Sequence, residues 1–245
     1  MAIRFPTMAE RPDLRPRARA LMRMWPQFMH HDPVANAYFG RVRDEYDDLQ
    51  FFAWDDEVDE VAAEANVVPA TWDGDPETLP TNGLDAVLEA SFGDDPPRLN
   101  VLCALQIVIS SEYQGRGLSV RMIERMADLG RLHGYASLIA PVRPSLKHRY
   151  PLAHIDRYIT WRRSDRTHID PWLRTHERIG GGILKVAHRS MVIPGTVADW
   201  EEWAEMTFPE TGTYVVPDAL VPIEIDVERD HGLYVEPNIW MHHRL

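Results

Sequence analysis

The chain has 245 residues, 38 of them Asp or Glu against 26 Lys or Arg, a formal net charge of -12, with 44% hydrophobic and 26% charged residues. This composition excludes an intrinsically disordered chain, and the acidic balance excludes a general nucleic-acid binder, which needs a basic surface for phosphates. No apolar run approaches the ~18 residues of a membrane span, and the single cysteine, Cys103, excludes a disulfide framework and a multi-thiolate metal site.

The N-terminal stretch MAIRFPTMAERPDLRPRARA has no apolar core of a leader peptide, so a cytoplasmic protein is expected. Residues 14–24 and 34–49 carry apolar side chains at helical spacing and predict two opening helices, the second capped by Asp32 with Pro33 at its first position. That cap is the better use of His30, His31 and Asp32, because neighbours in sequence rarely converge on one metal ion. QFFAWDD and EVDEVAAEANVVPATWDG predict two strands joined by an acidic turn at Asp55 to Glu57. A Pro-, Gly- and Asp-rich connection follows, with one short helix near Leu84 to Phe92. NVLCALQIVI is a near-continuous apolar run, the pattern of a central strand covered on both faces, and it makes Cys103 a buried core thiol.

Residues 118, 122, 123, 126, 129 and 132 place apolar side chains on one face of a helix over 118–132. ASLIAPV predicts the next strand. Beyond it lie a helix over 171–179, a break at Gly180 to Gly182, a strand over 183–193 and a short helix in TVADWEEWAEM. Strands near 219–226 and 234–240 complete a mixed α and β fold around one sheet. Trp200 and Trp203, at i and i+3, read as internal packing or as a homodimer contact. His242 and His243 read as a terminal tail without a role.

The stretch QGRGLS (114–119) sits between the central strand and the long helix. A helix N-terminus leaves about four amide N–H groups unpaired and carries roughly half a positive charge, so it favours an anion. Two glycines permit the sharp turn and the close approach of a phosphate; a plain strand-to-helix turn needs them as well. The spacing is not that of a P-loop, and the third glycine of a dinucleotide fingerprint is missing.

IVISSEYQGRGLSVRMIERM resembles motif A of the GCN5-related N-acetyltransferases, [Q/R]-x-x-G-x-[G/A], with Gln114 and Gly117 at its first two fixed positions and Ser119 in place of the small third residue. The resemblance spans about residues 14–193 and implies a mixed α+β fold with a central mixed sheet flanked by helices. Residues 1–245 then form one domain, with a basic, aromatic insert at 143–170 and a C-terminal extension at 194–245. It implies acetyl-CoA as co-substrate and no metal. The pyrophosphate would lie on Gln114, Gly115, Arg116, Gly117, Leu118 and Ser119, and the pantetheine along Ile107, Val108 and Ile109.

In the family a tyrosine in Y-x-x-x-G often protonates the leaving thiolate; counting back from the glycines after RTHERI puts His176 there, and histidine can donate a proton near neutral pH. Tyr150 and His168 are rival candidates for acid–base work. Trp25 and Phe28 precede the second helix, where the family walls its acceptor pocket. The insert holds seven Lys or Arg against two Asp between Arg143 and His168. Its Arg157, Trp161 and Arg162 are expected either to hold a CoA phosphate or to line the acceptor pocket and pair with a carboxylate. A solvated loop balancing the acidic remainder is the alternative.

The expectation is a small-molecule N-acetyltransferase whose acceptor amine or hydrazine-type nitrogen, on a carboxylate-bearing metabolite if the basic insert serves it, attacks the acyl group directly, with neither nucleic acid nor membrane as partner. Two alternatives stay open: acyl-CoA decarboxylation with loading of a carrier-protein thiol, and a CoA-binding module without turnover.

Overall fold

The computed structural model describes residues 3–93 and 99–245. A short strand β1 (Ile3–Arg4) leads into a helical segment in which only α1 (Arg15–Ala18) is α-helical, flanked by 3-10 turns at Pro12–Leu14 and Arg19–Met24. Leu14, Ala18 and Leu21 are buried at helical spacing, as the sequence predicts. Pro12 and Pro16 lack the N–H groups that a continuous helix would use, so the segment divides.

A third 3-10 turn (Gln27–His31) precedes α2 (Pro33–Glu45), whose N-cap Asp32 accepts from Ala35 N at 2.7 Å. Strands β2 (Phe51–Asp55) and β3 (Glu60–Ala70) form the expected hairpin, with Asp59 at φ 57° in its turn. Then come α3 (Gly83–Ser91), β4 (Val101–Ile109), α4 (Leu118–Leu132) and β5 (Ser137–Val142). Leu118, Met122, Ile123, Met126 and Leu129 of α4 are buried, each contributing about 1.5–3 kcal/mol of burial free energy. Leu132, expected on that face, is exposed at the last turn.

The insert contains α5 (Ile155–Tyr158) and ends in α6 (Pro171–Arg178). Strand β6 (Gly182–Gly195), α7 (Val197–Ala204), β7 (Gly212–Tyr214), β8 (Ile223–Asp226) and β9 (His231–Arg244) complete the described chain. The sheet runs β1-β2-β3-β4-β5-β9-β8-β7, with β6 also on β9. Pairing is antiparallel except between β4 and β5. No helix of the described residues is long and apolar enough to cross a membrane.

The region read as an extension supplies the strand that closes the sheet. β9 pairs with β5, β6 and β8, so His242 and His243 lie in a sheet interior and not in a tail. The strand expected over 234–240 is the middle of β9, which extends beyond it at both ends and runs through Pro237. β6 bulges between Ala187 and Met191 opposite it, which removes the need for a ladder hydrogen bond there. Trp200 is fully buried against Phe28 and Tyr234, which makes it core packing and not a dimer contact.

One irregularity positions the site. β3 accompanies β4 to Ile109, but its register skips Leu105, a bulge. β5 pairs with β4 only at Leu102 and Cys103, then follows β9 as far as Val142. A bulge bends its strand and increases its twist, and here β4 and β5 part beyond it, leaving the β5-facing edge of residues 105–109 unpaired.

Candidate active site

The gap between β4 and β5 opens into a cleft of about 830 Å³. One end is walled by Ile107 and Ile109, the turn 114–119 and the first turn of α4; the other by Trp25, α2, the end of β5 and the middle of β9.

At the first end, Gly115 and Gly117 sit at φ 73° and 75°, the left-handed region that other residues enter only at a cost. A Cβ at either glycine would meet nothing within 4 Å, so both face open space. Gly117 is the N-cap of α4 and no side chain caps that helix. By contrast, α2, α6 and α7 are capped by Asp32, Asp170 and Thr196, and Leu84 N of α3 donates to Ser190 Oγ. The amides that begin α4 are thus left for a ligand, and the helix dipole favours an anion there. Gln114 steadies the turn by donating from Nε2 to Ile109 O at 3.1 Å. Ser119 lines the cleft and leaves the site open, so its hydroxyl does not block it. These residues fit a pyrophosphate.

Not every residue expected at this end is inside. Val108 points to the opposite face from Ile107 and Ile109, as strand alternation requires, and is buried beside Phe52. Arg116 lies over the Tyr113 ring, 5.5 Å from its centroid, and is outside the cleft lining.

The insert is mostly architecture. Asp170 accepts from Leu146 N, Tyr158 Oη and Trp172 N, at 2.7, 2.7 and 2.9 Å. Buried Lys147 donates from Nζ to Tyr150 O and Leu220 O; burial lowers it to about 8. His168, expected in acid–base work, is fully buried with both ring nitrogens engaged, Nδ1 by Asp170 N and Nε2 at Ile159 O. Tyr150 packs edge-on to Trp161, and Arg162 pairs with Glu177. Arg157 is exposed, and none of Tyr150, Arg157, Trp161, Arg162 and His168 lines the cleft. Their aromatic and cationic character serves the packing and surface of the insert. Of the two aromatic residues before α2, Trp25 lines the cleft, whereas Phe28 is core, 5.1 Å from Tyr234 ring to ring.

His176 does line the cleft, with a partner that sequence reading missed. Its Nδ1 lies 2.8 Å from Nε2 of His243 on β9. Burial first, then His243, pushes His176 down to about 3, and burial first, then His242, takes His243 to about 4. His176 Nε2 is buried without a hydrogen-bond partner among the described residues. Both shifts favour the neutral imidazole form of the pair.

The far end is polar and ordered. Arg143 Nε donates to Glu236 at 2.9 Å and Nη2 to Asp218 O at 2.7 Å. Glu236 also accepts from Tyr234 Oη at 2.8 Å and Asn238 Nδ2 at 3.1 Å. Arg43 pairs with buried Glu64 at 2.8 Å, and Gln106 Nε2 donates to Asn66 at 2.6 Å. Behind this wall, Asp85 accepts from Val192 N and is raised to about 8 by burial and then by Asp32. Asp85 Oδ1 and Asp32 Oδ2 are both buried without a hydrogen-bond partner among the described residues. The basic count from Arg143 onward held the one signal for this end: Arg143 directly follows a strand that borders the cleft.

No family model matches the chain. It is 28% identical over 273 aligned residues to arginine N-acetyltransferase avaD of Aspergillus versicolor, covering 97% of this chain and 92% of that protein. Its fold is similar to the loading GNATL domain of CurA from Lyngbya majuscula, with TM-score 0.62, 16% identity, and 99% and 96% of the two chains covered. It is also similar to the GphF GNAT-like decarboxylase in complex with isobutyryl-CoA, with TM-score 0.59, 13% identity, and 100% and 99% covered.

Proposed function

We propose that the chain, which resembles the GCN5-related N-acetyltransferases, transfers an acetyl group from acetyl-CoA to the amine of a small amino-acid-type acceptor. The observation that carries the reading is the parted β4 and β5 strands ending on an uncapped glycine turn, which makes one continuous cleft from an anion cradle to a polar pocket. An acyl-CoA bound there supplies the activated thioester.

The chain's own residues then bind and orient. The amides opening α4 hold negative charge, and the free edge of β4 offers main-chain groups to an extended chain. Ile107, Ile109 and Trp25 keep the intervening space apolar, which excludes water from the thioester. Holding a neutral amine against an acyl carbon supplies most of what the reaction needs, because proximity alone is worth about 7–11 kcal/mol of the barrier. His176 and His243 enter as a neutral pair walling the cleft. The arginine acetyltransferase relative makes L-arginine the first acceptor to try.

The test is CoA release by purified protein given acetyl-CoA with and without L-arginine and related amines, beside calorimetric titration of acetyl-CoA into wild type and Gly117→Trp. Amine-dependent release, with binding lost in the variant, is expected. A folded wild type that does not bind acetyl-CoA sinks the reading. The decarboxylase and loading-domain folds favour a second reading, in which malonyl-CoA loses CO2 without any amine; release of CO2 from malonyl-CoA alone would select it.

A further inference from the structure

Arg143 is built as a receptor and has one edge unspent. It follows β5 directly, lines the cleft and is 17% exposed at its side chain, whereas its partner Glu236 is fully buried. Glu236 holds Nε and Asp218 O holds Nη2, while Nη1 has no hydrogen-bond partner among the described residues. Glu236 is itself fixed by Tyr234 and Asn238, so the planar fork cannot swing. An arginine locked along one edge by a buried carboxylate presents its other edge at a fixed angle, the arrangement that suits a planar anion. Arg174, on the same cleft, donates from Nη1 to His168 O and Ile169 O and has no carboxylate fixing its fork among the described residues.

We propose that the open edge of Arg143, anchored by Glu236, is the subsite for the carboxylate of the acceptor, so that the protein selects amino acids over simple amines. This rests on the acetyltransferase reading and adds to it the residue that recognises the acceptor's carboxylate. A neutral acceptor would leave a half-desolvated guanidinium edge unpaired, and a site built to pair a group rejects an analogue that lacks it.

The experiment compares L-arginine with L-argininamide, at saturating acetyl-CoA, in wild type and in the double variant Arg143→Gln/Glu236→Gln. The double variant removes both charges together, so no buried glutamate is stranded. The amide keeps the α-amine and makes it easier to deprotonate, so amine basicity works against the expected result. Wild type should favour L-arginine by at least about 100-fold in kcat/KM. In the double variant that preference should fall below about threefold, with the affinity for acetyl-CoA unchanged within about threefold, since the cradle at Gly115 and Gly117 is untouched.

Equal use of the two amines by wild type overturns the subsite and leaves the acetyltransferase reading standing. So does a double variant that binds acetyl-CoA and keeps the wild-type preference. Release with neither amine, in protein that binds acetyl-CoA, overturns the subsite and the amino-acid acceptor together. Amine-independent decarboxylation of malonyl-CoA that is lost in the double variant assigns the same edge to a donor carboxylate and overturns its assignment to the acceptor.

Discussion

At one end the cleft is walled by a single stretch of main chain, residues 114–120; at the other it is walled by side chains drawn from positions as distant as Arg43 and Asn238. The turn end needs only a shape, two glycines in the left-handed region and a helix without a cap, which is why Ser119 can replace a smaller residue without closing it. The polar end needs each side chain held by a buried partner: Arg143 by Glu236, Arg43 by Glu64, Gln106 by Asn66. Substitutions at the turn should therefore act on binding with little loss of stability. Substitutions at the polar end should disturb both.

The sharpest break of that contrast is Gly115→Val. A β-branched residue is strained at φ 73° and would fill the cradle, so acetyl-CoA affinity should fall at least about 100-fold by calorimetry while the circular dichroism spectrum is retained.

At the polar end the expected effect is on stability and depends on pH. Asp85 is raised to about 8, so the folded protein binds a proton that the unfolded chain releases from about pH 4 upward. Stability owed to that proton declines as pH rises from about 4 to about 8 and is gone above. Asp85→Asn removes the dependence. Urea unfolding should show its advantage over wild type growing by up to about 1.4 kcal/mol per pH unit, on the order of 5 kcal/mol across that window, and then levelling.

His176 and His243 have the opposite sign. Their folded-state values lie below the ordinary imidazole range, so the stability of the neutral pair is complete above about pH 6.5 and is lost as pH falls toward 4 and then 3. The double variant His176→Gln/His243→Gln should lose less stability than wild type between pH 6.5 and 4, by up to about 1.4 kcal/mol per pH unit for each histidine, measured in the same way.

The smallest effect sharpens the comparison from outside. Arg162 is exposed, pairs with half-buried Glu177 and lies off the cleft. Arg162→Ala should cost less than about 1 kcal/mol and leave kcat/KM within about twofold. A larger loss of activity would return the insert to the site.

The legibility of the molecule in its sequence follows the same division. Helix α4, the apolar strand before it and the turn between them were readable because every contributing residue is a chain neighbour of the next. His176 was found by counting from glycines, but its partner His243 was not, because the polar ending MHHRL hides a strand that three neighbours cover. Basic and aromatic residues of the insert looked like ligands for want of a way to see Asp170 and Lys147 holding the segment shut.

By itself, then, the sequence determined the mixed sheet, the hairpin, the glycine turn and the amphipathic helix after it, since backbone geometry and amphipathic period are local properties. Tertiary structure alone decided that β4 and β5 part after Cys103, that β9 fills the sheet between β5 and β6, and that Arg143 meets Glu236 across 93 positions. These depend on which strands pair and on which charges are buried together, and a list of residues carries neither until the chain has folded.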